Sequence, residues 1–135
     1  MRDYARLHTA ILLRRLAYQL NHAAHNSDAE SIHDLRVAIR RLNRCLRVFA
    51  PFFPGDSWKK IRRQLAELME AAGRVRDRDI ALQLLAEAGI PPHAAIAARL
   101  AAERRKASHE LLLEIRRWKG RGFSKKWRSR LELSA

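Results

Sequence analysis

The chain has 135 residues, with 28 Lys and Arg against 14 Asp and Glu, a formal net charge of +14 at pH 7. That length suits one domain spanning 1–135 and leaves little room for two, while the charge favours polyanionic partners and excludes cationic ones. The single cysteine, Cys45, excludes an intramolecular disulfide and a zinc cluster and points to a reducing cytoplasm, and the apolar run at 10–13 is cut by Arg14 and Arg15, too early for a signal peptide or a membrane span.

Ala, Leu, Arg and Glu dominate, and apolar residues hardly ever alternate with polar ones as a half-buried strand requires. The expected fold is all-α, an antiparallel bundle of four to five helices with a basic concave surface. A first helix over about residues 3–24 buries Leu7, Ile11, Leu12, Leu16 and Leu20. The segment HNSDAE breaks it, and two capping-box pairs, Ser27 with Glu30 and Ser31 with Asp34, offer alternative starts for the second helix. That helix ends before PFFPGD, whose prolines and glycine stop it. A third opens near Ser57 with Trp58, Ile61, Leu65, Leu68 and Met69 on one face. Gly73 loosens it, and a further helical stretch covers about 77–88 before Gly89 caps it, with Pro91 and Pro92 beyond. A fourth long helix covers about 92–118, and KGRGFSKKW turns the chain into a short basic C-terminal helix. No low-complexity tract or linker interrupts this plan.

The second helix carries two parallel stripes. Ile32, Leu35, Ile39, Leu42, Leu46 and Phe49 recur at helical spacing and form a core face. His33, Arg36, Arg40, Arg44 and Arg47 form a second stripe about 100° around the helix and roughly 21 Å long. A solvated face normally mixes signs, yet Asp34 is the one acid between Ser31 and Pro51. Like charges at this spacing oppose folding by a few tenths of a kcal/mol per pair, roughly. A row of planar guanidinium forks suits an extended oxyanion, because each fork can bind two phosphate oxygens.

The stretch IHDLRVAIRRLNRCLRVF resembles the signature of the CHAD domain, the conserved histidine α-helical domain, through His33, Asp34, Leu35, Arg36, Val37, Arg40, Arg41, Arg44 and Arg47. LMEAAGRVRDRDIALQLL resembles the family's second motif through Gly73, Arg74, Arg76, Asp77 and Asp79, and RLAAERRKASHELLLEIRRW is a weaker match of the same type. The resemblance implies a helical bundle that binds inorganic polyphosphate on a basic surface, often at polyphosphate granules, without chemistry of its own. It also implies a domain built of two similar halves related by a pseudo-twofold axis. This chain covers about one half. His109 and His8 are followed at the third position by Leu112 and Ile11, where a second motif needs Arg. A homodimer would rebuild the two-half arrangement; Phe52, Phe53, Trp58 and Trp118 are candidates for its apolar contact, with ordinary core as the alternative.

Arg36, Arg40, Arg44 and Arg47 are the principal phosphate-binding candidates, with Lys59, Arg62 and Arg63 on one face of the third helix. Arg41 matches the motif but points about 100° from Arg40, toward a neighbouring face. Arg74 and Arg76 complete the set, while Asp77 and Asp79 either cap the following helix or orient those arginines. His33 is either a structural histidine at the cap or a phosphate ligand. His22, His25 and His93 lie at helix ends or loops in no metal-binding arrangement, so neither metal nor cofactor is expected. The basic and aromatic segment 116–130 reads three ways: a surface for single-stranded nucleic acid, a solubilising tail, or an extension of the polyphosphate track. A nucleic-acid module is the alternative function, since both polyanions bind through counterion release. An enzyme would need a carboxylate cluster or a glycine-rich phosphate loop; Asp77 and Asp79 do not share a helix face, and no such loop occurs.

Overall fold

The structure, a computed structural model, describes residues 1–133. Five α-helices follow in chain order: α1 (Arg2–His25), α2 (Ala29–Val48), α3 (Ser57–Glu87), α4 (Ala95–Gly120) and α5 (Phe123–Arg130), with a short 3-10 turn at Ala50–Phe52 between α2 and α3. The described residues contain no strand. Each helix packs on the next, and α4 returns to α1, so the all-α bundle closes.

Cross-helix bonds give the antiparallel order: Thr9 with Cys45 at 3.3 Å between α1 and α2, Arg62 with Asn43 at 2.8 Å between α3 and α2, and Arg104 with Asp79 at 2.9 Å between α4 and α3. α4 meets α1 through the C-terminal part of that helix, where Lys119 reaches Asn21 at 2.8 Å. α5 and the residues after it cover the rest, and Arg6 of α1 pairs with Glu132 at 3.3 Å. The predicted C-terminal helix therefore completes the bundle and is no detached tail.

The core stripe of α2 holds: Ile32, Leu35, Ile39, Leu42 and Leu46 are buried, and Phe49 is half-buried against the same cluster. Each such side chain contributes about 1.5–3 kcal/mol through burial. The face of α1 is rotated from expectation. Leu12, Leu16 and Leu20 are buried, but Leu7 is exposed and Ile11 half-buried, while Leu13 is in the core. Three consecutive apolar residues, Ile11 to Leu13, fit two helical registers, and packing against α2 selects the one that uses Leu13.

Neither serine starts α2. Asp28 is the N-cap, its carboxylate accepting from the Ser31 amide at 2.8 Å, and this bond holds the Asp28 pKa below the ordinary carboxylate range. The break expected at Gly73 is absent and α3 runs through it. Ala71, Ala72 and Val75 are buried around that glycine, and their packing outweighs a helical glycine's cost of about 1 kcal/mol. Gly89 does end the segment, with φ at +79°. α4 then starts at Ala95, three residues later than the expected Pro92, because Pro91 to Ala94 form a turn closed by Ala94 N–H on Pro91 C=O.

Beyond Asp79 and Arg104 the α3–α4 hairpin continues past the end of the α1–α2 hairpin. Arg104 marks the boundary, since it binds Asp79 and also donates to the Ser27 carbonyl in the α1–α2 turn. The overhang leaves Ile80, Leu84 and Ile96 exposed.

Candidate functional site

The arginines of α2 do not share one environment. Arg36 leans toward α3 and is half-buried, and Arg40 and Arg76 act on it from either helix together with Asp77. Burial lowers the Arg36 pKa; Arg40 lowers it further, Asp77 opposes this, and Arg76 lowers it again. A guanidinium stays charged under such pressure, so three cations stand around one carboxylate. The Arg36 Nε is buried and has no hydrogen-bond partner. Two turns further along α2, Arg62 Nε donates to Asn43 Oδ1 at 2.8 Å. Together these lie along the groove where α2 packs on α3, with one covered donor, the Arg36 Nε, left unpaired.

Arg41 and Arg44 belong to the other side of α2. With His8, Leu12, Arg15, Cys45, Val48 and Phe49 they line a groove of about 400 Å³ between α1 and α2. A neighbouring cleft of about 390 Å³ adds Tyr18, Val37 and Ala38, with Arg14, Arg15, Asp34 and Arg41 around it. Arg41 thus faces away from Arg40, as its wheel position predicts. Buried Cys45 forms part of this wall, and burial raises its thiol pKa against the opposing bond from Thr9.

The remaining candidates scatter. His33, Arg47 and Arg63 are exposed. Lys59 pairs with Asp56 at 3.7 Å and stands 5.6 Å over the Trp58 ring. Arg74 pairs with Glu70 at 3.5 Å and lines a cleft toward α4 with Arg78, Glu103, Lys106 and Glu110. The groove therefore brings Arg36, Arg40, Arg62 and Arg76 together and leaves Arg74 on a different side of α3.

Neither expectation for the acids is met as stated: they cap no helix, and the arginines they act on are Arg36 and Arg104 rather than Arg74 and Arg76. Asp77 and Asp79 sit inside a continuous helix; Asp77 acts on Arg36, and Asp79 holds Arg104. Arg104 was not a candidate, because its partners lie far from it in sequence. Asn43 was also missed, although it lies seven residues after Arg36 and hence on the same side of α2. Among the described residues no cluster of three His, Cys, Asp or Glu side chains is placed to hold a metal ion, and no helix is long and apolar enough to cross a membrane.

Fold and grooves together define an all-α module whose arginines are sorted between helix–helix clefts by the residues opposite them. The chain belongs to the CHAD domain family: the family model, described as CHAD domain, matches residues 9–135, nearly the whole chain. No curated protein and no solved structure matches it.

Proposed function

We propose that the chain binds inorganic polyphosphate in the α2–α3 groove, without catalysing its turnover. The observation that carries this reading is Arg36, whose buried Nε lacks a partner while Arg40 and Arg76 crowd it. An unsatisfied buried donor costs about 1–3 kcal/mol, and a phosphate oxygen seated there would satisfy it and relieve the repulsion between the guanidinium groups. His33, Arg47, Lys59 and Arg63 would extend the track for a longer chain, and Arg41, Arg44 and Arg74 would engage only a polymer that wraps around the helices. Membership of the CHAD family supports a binding role over an enzymatic one.

The nucleic-acid alternative is weakened by the C-terminal aromatics. Trp118, Phe123 and Trp127 are buried and pack on one another at centroid distances of 5.1–5.3 Å, so they offer no free face for a base. A second copy of the chain is the proposed partner that would build a two-half arrangement. Phe53 and Trp118 are buried, and Phe52 and Trp58 half-buried, so the contact is assigned to the overhang with its exposed Ile80, Leu84 and Ile96. Sedimentation showing only monomer at micromolar concentration removes that dimer. A cytoplasmic site of action, at polyphosphate granules, goes with the same reading.

The decisive experiment is a competition titration at fixed salt, in which labelled long-chain polyphosphate is challenged with single-stranded DNA and RNA of matched charge. Polyphosphate is expected to win by at least tenfold, about 1.4 kcal/mol, and Arg36→Ala with Arg40→Ala to abolish the preference. Equal competition by nucleic acid, with the double variant weakening every ligand alike, would show a general polyanion surface instead.

A further inference from the structure

A second basic cleft lies away from the α2–α3 groove, where the start of α3, the end of α4 and α5 converge. Its wall includes Lys60, Arg121, Lys126 and Arg130, and no acid lines it. Glu114 of α4 feels Arg121, but its oxygens are engaged by the Trp118 indole N–H at 3.0 Å and by Arg117. The cleft measures about 260 Å³, below the usual range for drug-sized ligands, so a small molecule fits it. Trp118, Phe123 and Trp127 form its floor, and because their faces are packed against each other they do not stack a nucleobase. Gln64 also lines the cleft; its Oε1 is covered in this conformation and has no hydrogen-bond donor, and a rotation of the side chain into the cleft would present it to a ligand.

We propose that this cleft is a separate site for a small polyol carrying two phosphate groups, with the cations on the phosphates and Gln64 accepting a hydrogen bond from a ligand hydroxyl. Two phosphate monoesters carry about −3 to −4 at neutral pH, which complements four cations. An ionised phosphate has little to donate, whereas a buried carbonyl oxygen needs a donor. A hydroxyl beside the phosphates supplies it.

The test follows Trp fluorescence and calorimetry of the full chain titrated with fructose 1,6-bisphosphate or with pyrophosphate, which lacks the polyol. The bisphosphate is expected to give a saturable change in the native chain and in Arg36→Ala with Arg40→Ala, which separates this site from the polyphosphate groove. Lys60→Glu with Lys126→Glu should weaken binding more than tenfold; both positions fall in the first turns of helices, where an acid suits the dipole and folding is retained. Gln64→Leu should weaken the bisphosphate about tenfold and leave pyrophosphate unchanged. The proposal is overturned by the absence of a saturable signal. It is equally overturned if binding disappears in the Arg36 and Arg40 variant but survives the charge reversal. Equal affinity for both probes, unaffected by Gln64→Leu, would reduce the cleft to an ion site without hydroxyl recognition.

Discussion

The two grooves beside α2 draw their arginines from one helix and differ in what faces them. Toward α3, Arg36 and Arg40, with Asn43 beside them on α2, face Arg62, Arg76 and Asp77, a polar wall that leaves one donor unfilled. Toward α1, Arg41 and Arg44, with Val48 and Phe49 beside them, face His8, Leu12 and Arg15, a wall that adds a cation and apolar surface but no acid. Positive charge is common to both, yet of the two only the first holds an unpaired buried guanidinium nitrogen. In the proposed function it is this pairing state, and not local charge density, that singles out the first groove.

The harshest way to break the comparison is to remove the support under both grooves. Leu35→Ala, at a position with no solvent exposure, should cost about 2–5 kcal/mol, read as a lower denaturant midpoint at unchanged slope. A selective break comes next. Arg36→Ala should weaken polyphosphate binding about tenfold at fixed salt, the scale of one lost charge-assisted contact, while Arg41→Ala should change it less than about threefold by the same titration. Equal losses would erase the distinction between the grooves. A finer test is salt dependence: Arg36→Ala should flatten the plot of log affinity against log salt by about one phosphate contact, and Arg74→Ala should leave the slope nearly unchanged with short polyphosphate.

The smallest effect concerns the start of α2, from which both grooves are built. A carboxylate whose folded pKa is depressed stabilises the fold above its ordinary pKa, and that contribution is lost as pH falls through the folded value. Asp28 is such a group. Asp28→Ala should therefore lower the thermal midpoint at neutral pH, and the difference from the native chain should shrink on acidification below about pH 4.

Much of this was readable from residue order. The core stripe of α2 follows directly from helical spacing, and Gly89 with the prolines after it marks the α3–α4 turn. The arginines of α2 do not keep one row: steps of four residues drift about 40° each, and Arg44, expected beside Arg36 and Arg40, lines the α1 side. What failed to read has identifiable causes. The run Ile11 to Leu13 satisfies two registers, and only the partner helix chooses between them. Asp28 competed with two serines for the cap, and a carboxylate accepting from Ser31 won over either capping box. Gly73 is a weak helix breaker that buried neighbours override. For the site, angular position separated Arg41 from Arg40 on α2, and the same rule sets Arg74 and Arg76 on opposite sides of α3, but sequence contained nothing to say which helix each would face, or that Asp79 would hold Arg104.

That last contact also bears on how the chain reaches this structure. Two hairpins, α1–α2 and α3–α4, each rest on contacts near in sequence, the kind that form fast. Arg104 joins them by gripping Asp79 and the Ser27 carbonyl, across 25 and 77 positions. A link of that reach is expected to close after the transition state, in which case Arg104→Ala should speed unfolding while leaving the refolding rate nearly as it was, as stopped-flow rates of the native and variant chains would show.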